Sequence, residues 1–70
     1  MKLTVNGQPR DCDAANLADL WRRETADLEI VEPRGFAISL NGAVVRRAAW
    51  SATAVHEGDA VEIIRAMSGG

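Results

Sequence analysis

Two Asn-Gly dipeptides, Asn6-Gly7 and Asn41-Gly42, each lie between short segments that have the composition of β-strands. Asparagine and glycine tolerate the positive φ angles of a tight type I′ turn, which joins two antiparallel strands. The chain is therefore predicted to contain two β-hairpins, with strands at residues 2–5 and 8–12 and at residues 36–40 and 43–46. Because Pro9 has no backbone N–H, we expect the second strand to lie at a sheet edge or to carry a bulge.

A helix is predicted between the two hairpins. Asn16 is a favourable N-cap, and Asp19, three residues later, suits the positive end of the helix dipole. Apolar residues occupy four of the five positions that follow at helical spacing, so one stripe of the helix can pack on a sheet. These positions are Leu17, Leu20, Trp21, Glu24 and Leu28. Pro33 and Gly35 then end the preceding structure, because proline lacks an amide donor and glycine admits left-handed geometry.

A last strand is predicted at residues 60–66, after a mixed connection at 48–55 and a turn at 57–59. On alternation, Val61 and Ile63 face inward and Ile64 lies on the opposite face. A helix between two hairpins can cover one face of a mixed sheet, and the last strand can pair in parallel beside the first. The prediction is an α+β domain with the ubiquitin-like β-grasp arrangement, in which a mixed sheet packs on one main helix.

Length and charge argue against several classes of function. The 70 residues form at most one small domain, with little room for an enclosed active site and no nucleophile paired with a base, so we expect no enzyme. The net charge of −2 and the absence of a basic run argue against binding to nucleic acid or to an anionic membrane. The sequence shows neither a membrane-spanning apolar stretch nor a signal peptide, and it has a single cysteine, Cys12. We expect a cytoplasmic protein.

The C-terminal pair Gly69-Gly70 is the candidate functional element. It follows the last strand closely, so we divide the chain into a domain at residues 1–66 and a flexible tail at residues 67–70. Glycine has no Cβ and can enter a narrow channel in another protein, and four extended residues reach roughly 13 Å at about 3.4 Å each. A free carboxylate is a poor electrophile, so its modification requires activation, for which a nucleoside triphosphate is the obvious source. The alternative is that the glycines are a flexible end or a cloning scar.

Three segments of the chain occur in the order seen in a known family. Residues 41–50 are N-G-A-V-V-R-R-A-A-W, residues 57–64 are E-G-D-A-V-E-I-I, and the chain ends in Gly69-Gly70. They resemble the N-G-x-x-V-x-R-x-x-W segment, the E-G-D-x-V-E-I run and the terminal glycines of the ThiS family, the sulfur carrier proteins of thiamine biosynthesis. The similarity covers essentially the whole chain. Leu17 departs from the β-branched residue common at that position, and the Met67-Ser68 spacer varies in the family.

The resemblance implies a mechanism. In this family a partner adenylyltransferase uses ATP and Mg²⁺ to convert the terminal carboxylate to an acyl-adenylate. Sulfur from a cysteine desulfurase relay displaces AMP and leaves a thiocarboxylate, and thiazole synthase accepts that sulfur. Here Gly70 would carry the sulfur and Gly69 would give access to it. The chain itself would bind no cofactor or metal, and we expect it to be a monomer when alone.

Three alternatives remain at this point. The small subunit of molybdopterin synthase shares the fold, the terminal glycines and the thiocarboxylate, but it is usually longer and lacks the N-G-x-x-V-x-R-x-x-W segment. A protein modifier that forms an amide to lysine is disfavoured by the absence of an extended basic tail before Gly69-Gly70. A non-catalytic interaction module with incidental glycines is the third alternative.

The outward face of the last strand is the predicted partner-binding surface. Ile64 and Ala66 lie on the side away from the helix, Met67 extends this apolar patch, and Ser68 leads from it to the glycines. An exposed contiguous apolar surface usually marks an interaction site. We expect this surface to dock on the activating enzyme and on the synthase.

Other residues whose side chains could react or bind a ligand have simpler interpretations. Cys12 is expected to pack rather than react, although a reactive or partner-linked thiol is the alternative. His56 is expected to be a solvated turn residue, and the neighbouring acidic residues 57 and 59 to make local hydrogen bonds. Arg46 and Arg47 either end a solvated strand or meet an acidic partner.

The two tryptophans complete the predicted core. Trp21 lies at helical spacing with Leu17 and is expected to be buried, and Trp50 is expected to pack the connection at residues 48–55 against the sheet.

Overall fold

Both Asn-Gly dipeptides form hairpin turns in the computed structural model, which describes residues 1–26 and 35–65. Asn6 and Asn41 have φ angles of 53° and 51°, and the glycines that follow them also have positive φ. The turns join antiparallel strands: β1 (Lys2–Val5) to β2 (Gln8–Asp11), and β3 (Phe36–Leu40) to β4 (Ala43–Val45). The two predicted hairpins are confirmed, although β2 and β4 each end one residue earlier than predicted.

The last strand, β5 (Ala60–Arg65), lies in the middle of the sheet, whose strand order is β2-β1-β5-β3-β4. It pairs in parallel with β1 and antiparallel with β3. The parallel pairing is the one predicted. β2 lies at an edge of the sheet, where the missing N–H of Pro9 is tolerated. The predicted end of β5 at Ala66 lies outside the described residues.

The helix α1 (Leu17–Glu24) begins as the sequence predicts. The side-chain oxygen of Asn16 accepts a hydrogen bond of 2.8 Å from the backbone N–H of Asp19, which is the N-cap geometry. Leu17, Leu20 and Trp21 on its inward stripe are buried. Glu24, the polar member of the predicted stripe, forms an ion pair of 3.3 Å with the Arg10 guanidinium of β2. Leu28 lies outside the described residues.

One core fills the space between the sheet and α1. Its ten buried residues come from the strands, from α1, from the loop before it and from the connection at residues 48–55: Leu3, Val5, Ala14, Leu17, Leu20, Trp21, Ile38, Trp50, Val55 and Val61. The Trp21 ring meets Phe36 edge-on, with 5.5 Å between ring centroids, and lies 6.2 Å from Trp50. Both tryptophans are therefore core residues, as predicted.

The connection predicted as mixed contains a 3₁₀ helix at Arg47–Ala52. Its Trp50 side chain is buried and donates a hydrogen bond of 2.8 Å from Nε1 to the Val45 carbonyl. The Thr53 carbonyl just beyond it accepts a bond of 3.1 Å from the Leu17 N–H at the start of α1. A 3₁₀ segment is too short to show a helical period in sequence, so its position comes from these tertiary contacts. Within the described residues, the element order and the central parallel pair β1–β5 make the predicted β-grasp arrangement.

Candidate functional site

Of the predicted site residues, only Ile64 lies within the part of the chain that the structure describes. Ala66, Met67, Ser68, Gly69 and Gly70 lie outside it, and so does the predicted tail at residues 67–70. Their roles stay predictions. What the structure does show is the strand that leads to them, since Arg65 is both the last residue of β5 and the last one described.

β5 is held along one edge up to its last residue. On that edge it pairs with β3 through five consecutive positions, which end with Ala37 opposite Ile64 and Phe36 opposite Arg65. The Arg65 guanidinium carbon also lies 5.7 Å from the centroid of the Phe36 ring, within the range of a cation–π contact. The β3 edge therefore fixes the end of β5 at both backbone and side-chain level.

The opposite edge of β5 is held differently, because its neighbour β1 is shorter. The β1–β5 ladder comprises only two pairs, Thr4 with Ala60 and Val5 with Val61. Beyond it, the Asn6 backbone N–H donates to the Val61 carbonyl at 2.9 Å, and the Asn6 Oδ1 accepts from the Ile63 N–H at 2.8 Å. Asn6 thus bonds to β5 with both its backbone and its side chain.

The second turn asparagine bonds to the other end of β5. The Asn41 Oδ1 accepts from the Ala60 N–H at 2.9 Å, and the Asn41 N–H donates to the Ala60 carbonyl at 2.7 Å. Its Nδ2 also donates to Asp59 at 3.1 Å. The sequence predicts a turn at each asparagine but not these bonds to β5. Glycine would also form a type I′ turn at these positions, so the presence of an amide side chain is the one sequence feature that could have indicated a further hydrogen bond.

The face of the sheet away from α1 carries exposed apolar side chains. We define the outer face by Ala37, Ser39, Val44, Glu62 and Ile64, which lie side by side in the pairing register. Ile64 is 51% exposed and Val44 is 80% exposed. The predicted outward orientation of Ile64 is confirmed, whereas Val44 on β4 is an addition that sequence reasoning missed.

The outer face contains one carboxylate, that of Glu62, and it has no partner among residues 1–26 and 35–65. The six other acidic side chains in these ranges each form a hydrogen bond or an ion pair: Asp11, Asp13, Asp19, Glu24, Glu57 and Asp59. Glu62 sits opposite Ser39 and two positions before Ile64. The outer face is therefore a mainly apolar surface with one negative charge that other described residues do not neutralise.

Asp19 at the start of α1 has a perturbed pKa. Desolvation raises its pKa, but hydrogen bonds from the Arg22 side chain and the Ala15 N–H and the positive charges of Arg23 and Arg22 outweigh that effect. The net result is a pKa below the usual aspartate value. This charge cluster supports the helix start and is remote in sequence from the tail.

The remaining candidates have structural surroundings. Cys12 is half-buried and packs against the core, as predicted. The His56 side chain is 75% exposed, while its backbone N–H donates to Asp59 at 2.8 Å, which is the local turn bonding expected. Arg46 and Arg47 are exposed. The described residues contain no group of three or more His, Cys, Asp or Glu side chains placed to hold a metal ion.

No helix in the described ranges is both long and apolar enough to cross a membrane.

Comparison with known proteins gives a consistent match. The model of the ThiS family matches residues 3–70. A crystal structure of the thiamine biosynthesis protein ThiS from Geobacter metallireducens is similar with a TM-score of 0.74 and 40% identity over 100% of both chains. A solution NMR structure of a thiamine biosynthesis protein from the same organism has a TM-score of 0.70 and 40% identity, and covers 100% of this chain and 88% of that one. A search of curated proteins found no match.

Proposed function

This chain belongs to the ThiS family, the sulfur carriers of thiamine biosynthesis, and we propose that Gly70 is the residue that carries the sulfur. The observation that supports this most directly is that the family match extends to residue 70 and so includes both terminal glycines. The alternative of a molybdopterin synthase subunit gains no support from the family match or from either similar structure. The alternatives of a protein modifier and of an interaction module gain no support from them either.

The proposed chemistry takes place at the terminal carboxylate. A carboxylate oxygen of Gly70 attacks the α-phosphate of ATP on a partner adenylyltransferase, and pyrophosphate leaves. The outer sulfur of a protein persulfide, supplied by a cysteine desulfurase relay, then attacks the carbonyl carbon and AMP leaves. A thiol reductant cleaves the S–S bond of the resulting acyl disulfide and releases the thiocarboxylate. The thiocarboxylate delivers its sulfur to the substrate of thiazole synthase, and an oxygen from water or from that substrate takes its place on the carbonyl carbon, which returns the carrier to its carboxylate form. Adenylation makes the carbon electrophilic, which the free carboxylate is not.

Catalysis is proposed to belong to the partners. ATP and Mg²⁺ bind to the adenylyltransferase, and this chain enters as a cosubstrate. Five residues separate Arg65 from the chain end, and at about 3.4 Å each they span roughly 17 Å when extended. That length allows Gly70 to enter a partner's active site while the folded domain stays outside. Gly69, without a Cβ, allows close approach beside the reacting carbon. We place these encounters in the cytoplasm.

The outer face is the proposed docking surface for these partners. Ile64 and Val44 expose apolar area there, on the strand that leads to the tail and on its second neighbour. Burial of apolar area at about 25 cal/mol per Å² favours association with a matching surface. Ala66, Met67 and Ser68 follow β5 directly, and we propose that they extend the contact from the outer face towards the partner's active site.

The proposed function is tested by incubating the protein with ATP, the adenylyltransferase of its own pathway and a sulfur donor, and then measuring the intact mass. The expected result is a mass gain that matches replacement of one oxygen by sulfur. A variant lacking Gly70 is the control and should show no gain. The Geobacter metallireducens ThiS serves as a positive control for the activating enzyme. If that protein is converted and this one is not, the proposal is wrong.

A growth test separates the pathways. A strain that lacks its own thiazole sulfur carrier should grow without thiamine when this chain is expressed, and the variant lacking Gly70 should not support growth. Rescue of a strain deficient in the molybdopterin synthase small subunit, without rescue of the thiamine requirement, would instead favour that alternative.

A further inference from the structure

β5 extends beyond the end of β1, and the side chain of Asn6 covers part of the difference. The last ladder pair on this edge is Val5 with Val61, and the last backbone bond runs from the Asn6 N–H to the Val61 carbonyl. In a parallel ladder, the next donor on β5 is the N–H of Ile63, and its acceptor would be the backbone carbonyl of the residue after Val5. Asn6 supplies its side-chain oxygen to that N–H, at 2.8 Å.

This substitution of a side-chain oxygen for a backbone carbonyl follows from the hairpin. At a φ of 53°, Asn6 turns the chain back towards β2, so β1 cannot continue along β5. Among residues that tolerate left-handed φ, asparagine and aspartate also carry a side-chain oxygen close to the backbone. Asn6 therefore forms the turn with its backbone and accepts the hydrogen bond of the next β5 donor, the Ile63 N–H, with its side chain.

The bond between Asn6 and Ile63 lies near the end of β5 that leads to the tail, so its loss should affect that end of the strand. Ile63 lies two residues before Arg65, the last residue of β5. Past Val61, β5 is held by β3 on one edge and by the Asn6 side chain on the other. Loss of the Asn6 oxygen would leave this end of the strand bonded along one edge only. The end of β5 at Ile63 to Arg65 would then be less well fixed.

We propose that Asn6 is a positioning residue for the reaction at Gly70, acting through the end of β5. The inference rests on the proposed function, because it assumes that Gly70 must reach a partner's active site. Reacting atoms must come within about 3–3.5 Å in an aligned geometry, and small misplacements lower the rate of the chemical step. Asn6 limits the range of directions from which the tail starts, so it should affect turnover rather than docking on the outer face.

The chain provides a matched control in Asn41. It makes the same kind of bond to β5, from the Ala60 N–H at 2.9 Å, but at the end of the strand opposite the tail. Its φ of 51° is nearly that of Asn6, and a glycine also follows it. Asn6→Gly and Asn41→Gly each keep a glycine-compatible type I′ turn and remove one side-chain bond to β5. Only Asn6→Gly removes it near the tail.

The experiment measures kcat and KM of the adenylyltransferase with each carrier as varied substrate, at saturating ATP. We expect Asn6→Gly to lower kcat about fivefold or more with KM changed less than about twofold. Asn41→Gly should leave kcat within about twofold of wild type, and Asn6→Asp should restore it because an oxygen remains for the Ile63 N–H. Amide hydrogen exchange should be faster at Ile63 in Asn6→Gly and unchanged there in Asn6→Asp.

Each other outcome overturns the inference. Equal kcat for Asn6→Gly and Asn41→Gly would mean that Asn6 acts on stability alone. A rise in KM at unchanged kcat would place Asn6 in docking instead of positioning. No conversion of the wild-type chain, with the positive control converted, would overturn the proposed function and this inference with it.

Discussion

The inner and outer faces of the sheet alternate along the same strands but differ in what covers them. On β5, Val61 is buried in the core, whereas Ile64, three residues later, is 51% exposed. On β3, Ile38 is fully buried on the inner side. Burial on the inner face stabilises the domain, and the exposed apolar area of the outer face is available to a partner. One strand, β5, therefore contributes inward residues to the core and outward residues to the proposed docking surface, and it leads to the tail.

The largest expected effect comes from the inner face. Ile38→Ala should lower the free energy of unfolding by about 2–5 kcal/mol, because it removes buried methyl groups and leaves a cavity. Urea denaturation followed by circular dichroism measures this difference. Val44→Ala on the outer face is the control and should change stability by less than about 0.5 kcal/mol. Similar losses for both variants would contradict the division between the faces.

A charge on the outer face should act on binding. Ile64→Lys is expected to weaken binding to the adenylyltransferase by about tenfold, because it replaces exposed apolar area with a cation that must be desolvated. Isothermal titration calorimetry measures the affinity. Gln8→Lys adds the same charge at the exposed edge strand β2 and should leave the affinity unchanged. Unchanged affinity for Ile64→Lys would show that the outer face does not bind the adenylyltransferase.

Local chemistry made much of this fold predictable. The Asn-Gly turns, the N-cap at Asn16 and the alternation of β5 depend on residues close in sequence, and all three are confirmed. The 3₁₀ helix and the exposure of Val44 depend on how distant elements pack, which a single sequence pattern does not encode. The bond from Ile63 to Asn6 joins residues 57 positions apart. The tail could be predicted from the terminal glycines and the family resemblance, and its roles stay predictions.

Glu62 should give a smaller effect on the same surface. Glu62→Gln keeps the size of the side chain and removes its charge, and we expect affinity for the adenylyltransferase to fall about two- to fivefold and to depend less on salt. The Glu62 carboxylate has no partner among the described residues and lies on a mainly apolar surface, so it favours a binding partner with a cation opposite it. Titration at low and at high salt measures the change, with Asp13→Asn as control. An unaltered salt dependence would show that Glu62 faces no cation.

The smallest expected effect lies away from both faces, at the start of α1. Asp19 has a lowered pKa in the folded state. The folded chain therefore binds fewer protons there, and the stabilisation is present above the ordinary aspartate pKa of about 3.9 and lost as pH falls below it. Asp19→Asn should be slightly less stable than wild type at pH 7, with the difference vanishing at low pH. Urea midpoints at several pH values measure this. A difference that persists in acid would exclude the charge as its cause.

Mass analysis of the C-terminal peptide after the reaction tests most directly the proposal that the sulfur is bound to the C-terminal carbon. We expect sulfur to replace one oxygen on Gly70 and the peptide containing Cys12 to be unchanged. An unmodified C-terminal peptide together with one added sulfur on Cys12 would mean that the chain carries sulfur as a persulfide. That result would contradict the proposal that Gly70 carries the sulfur.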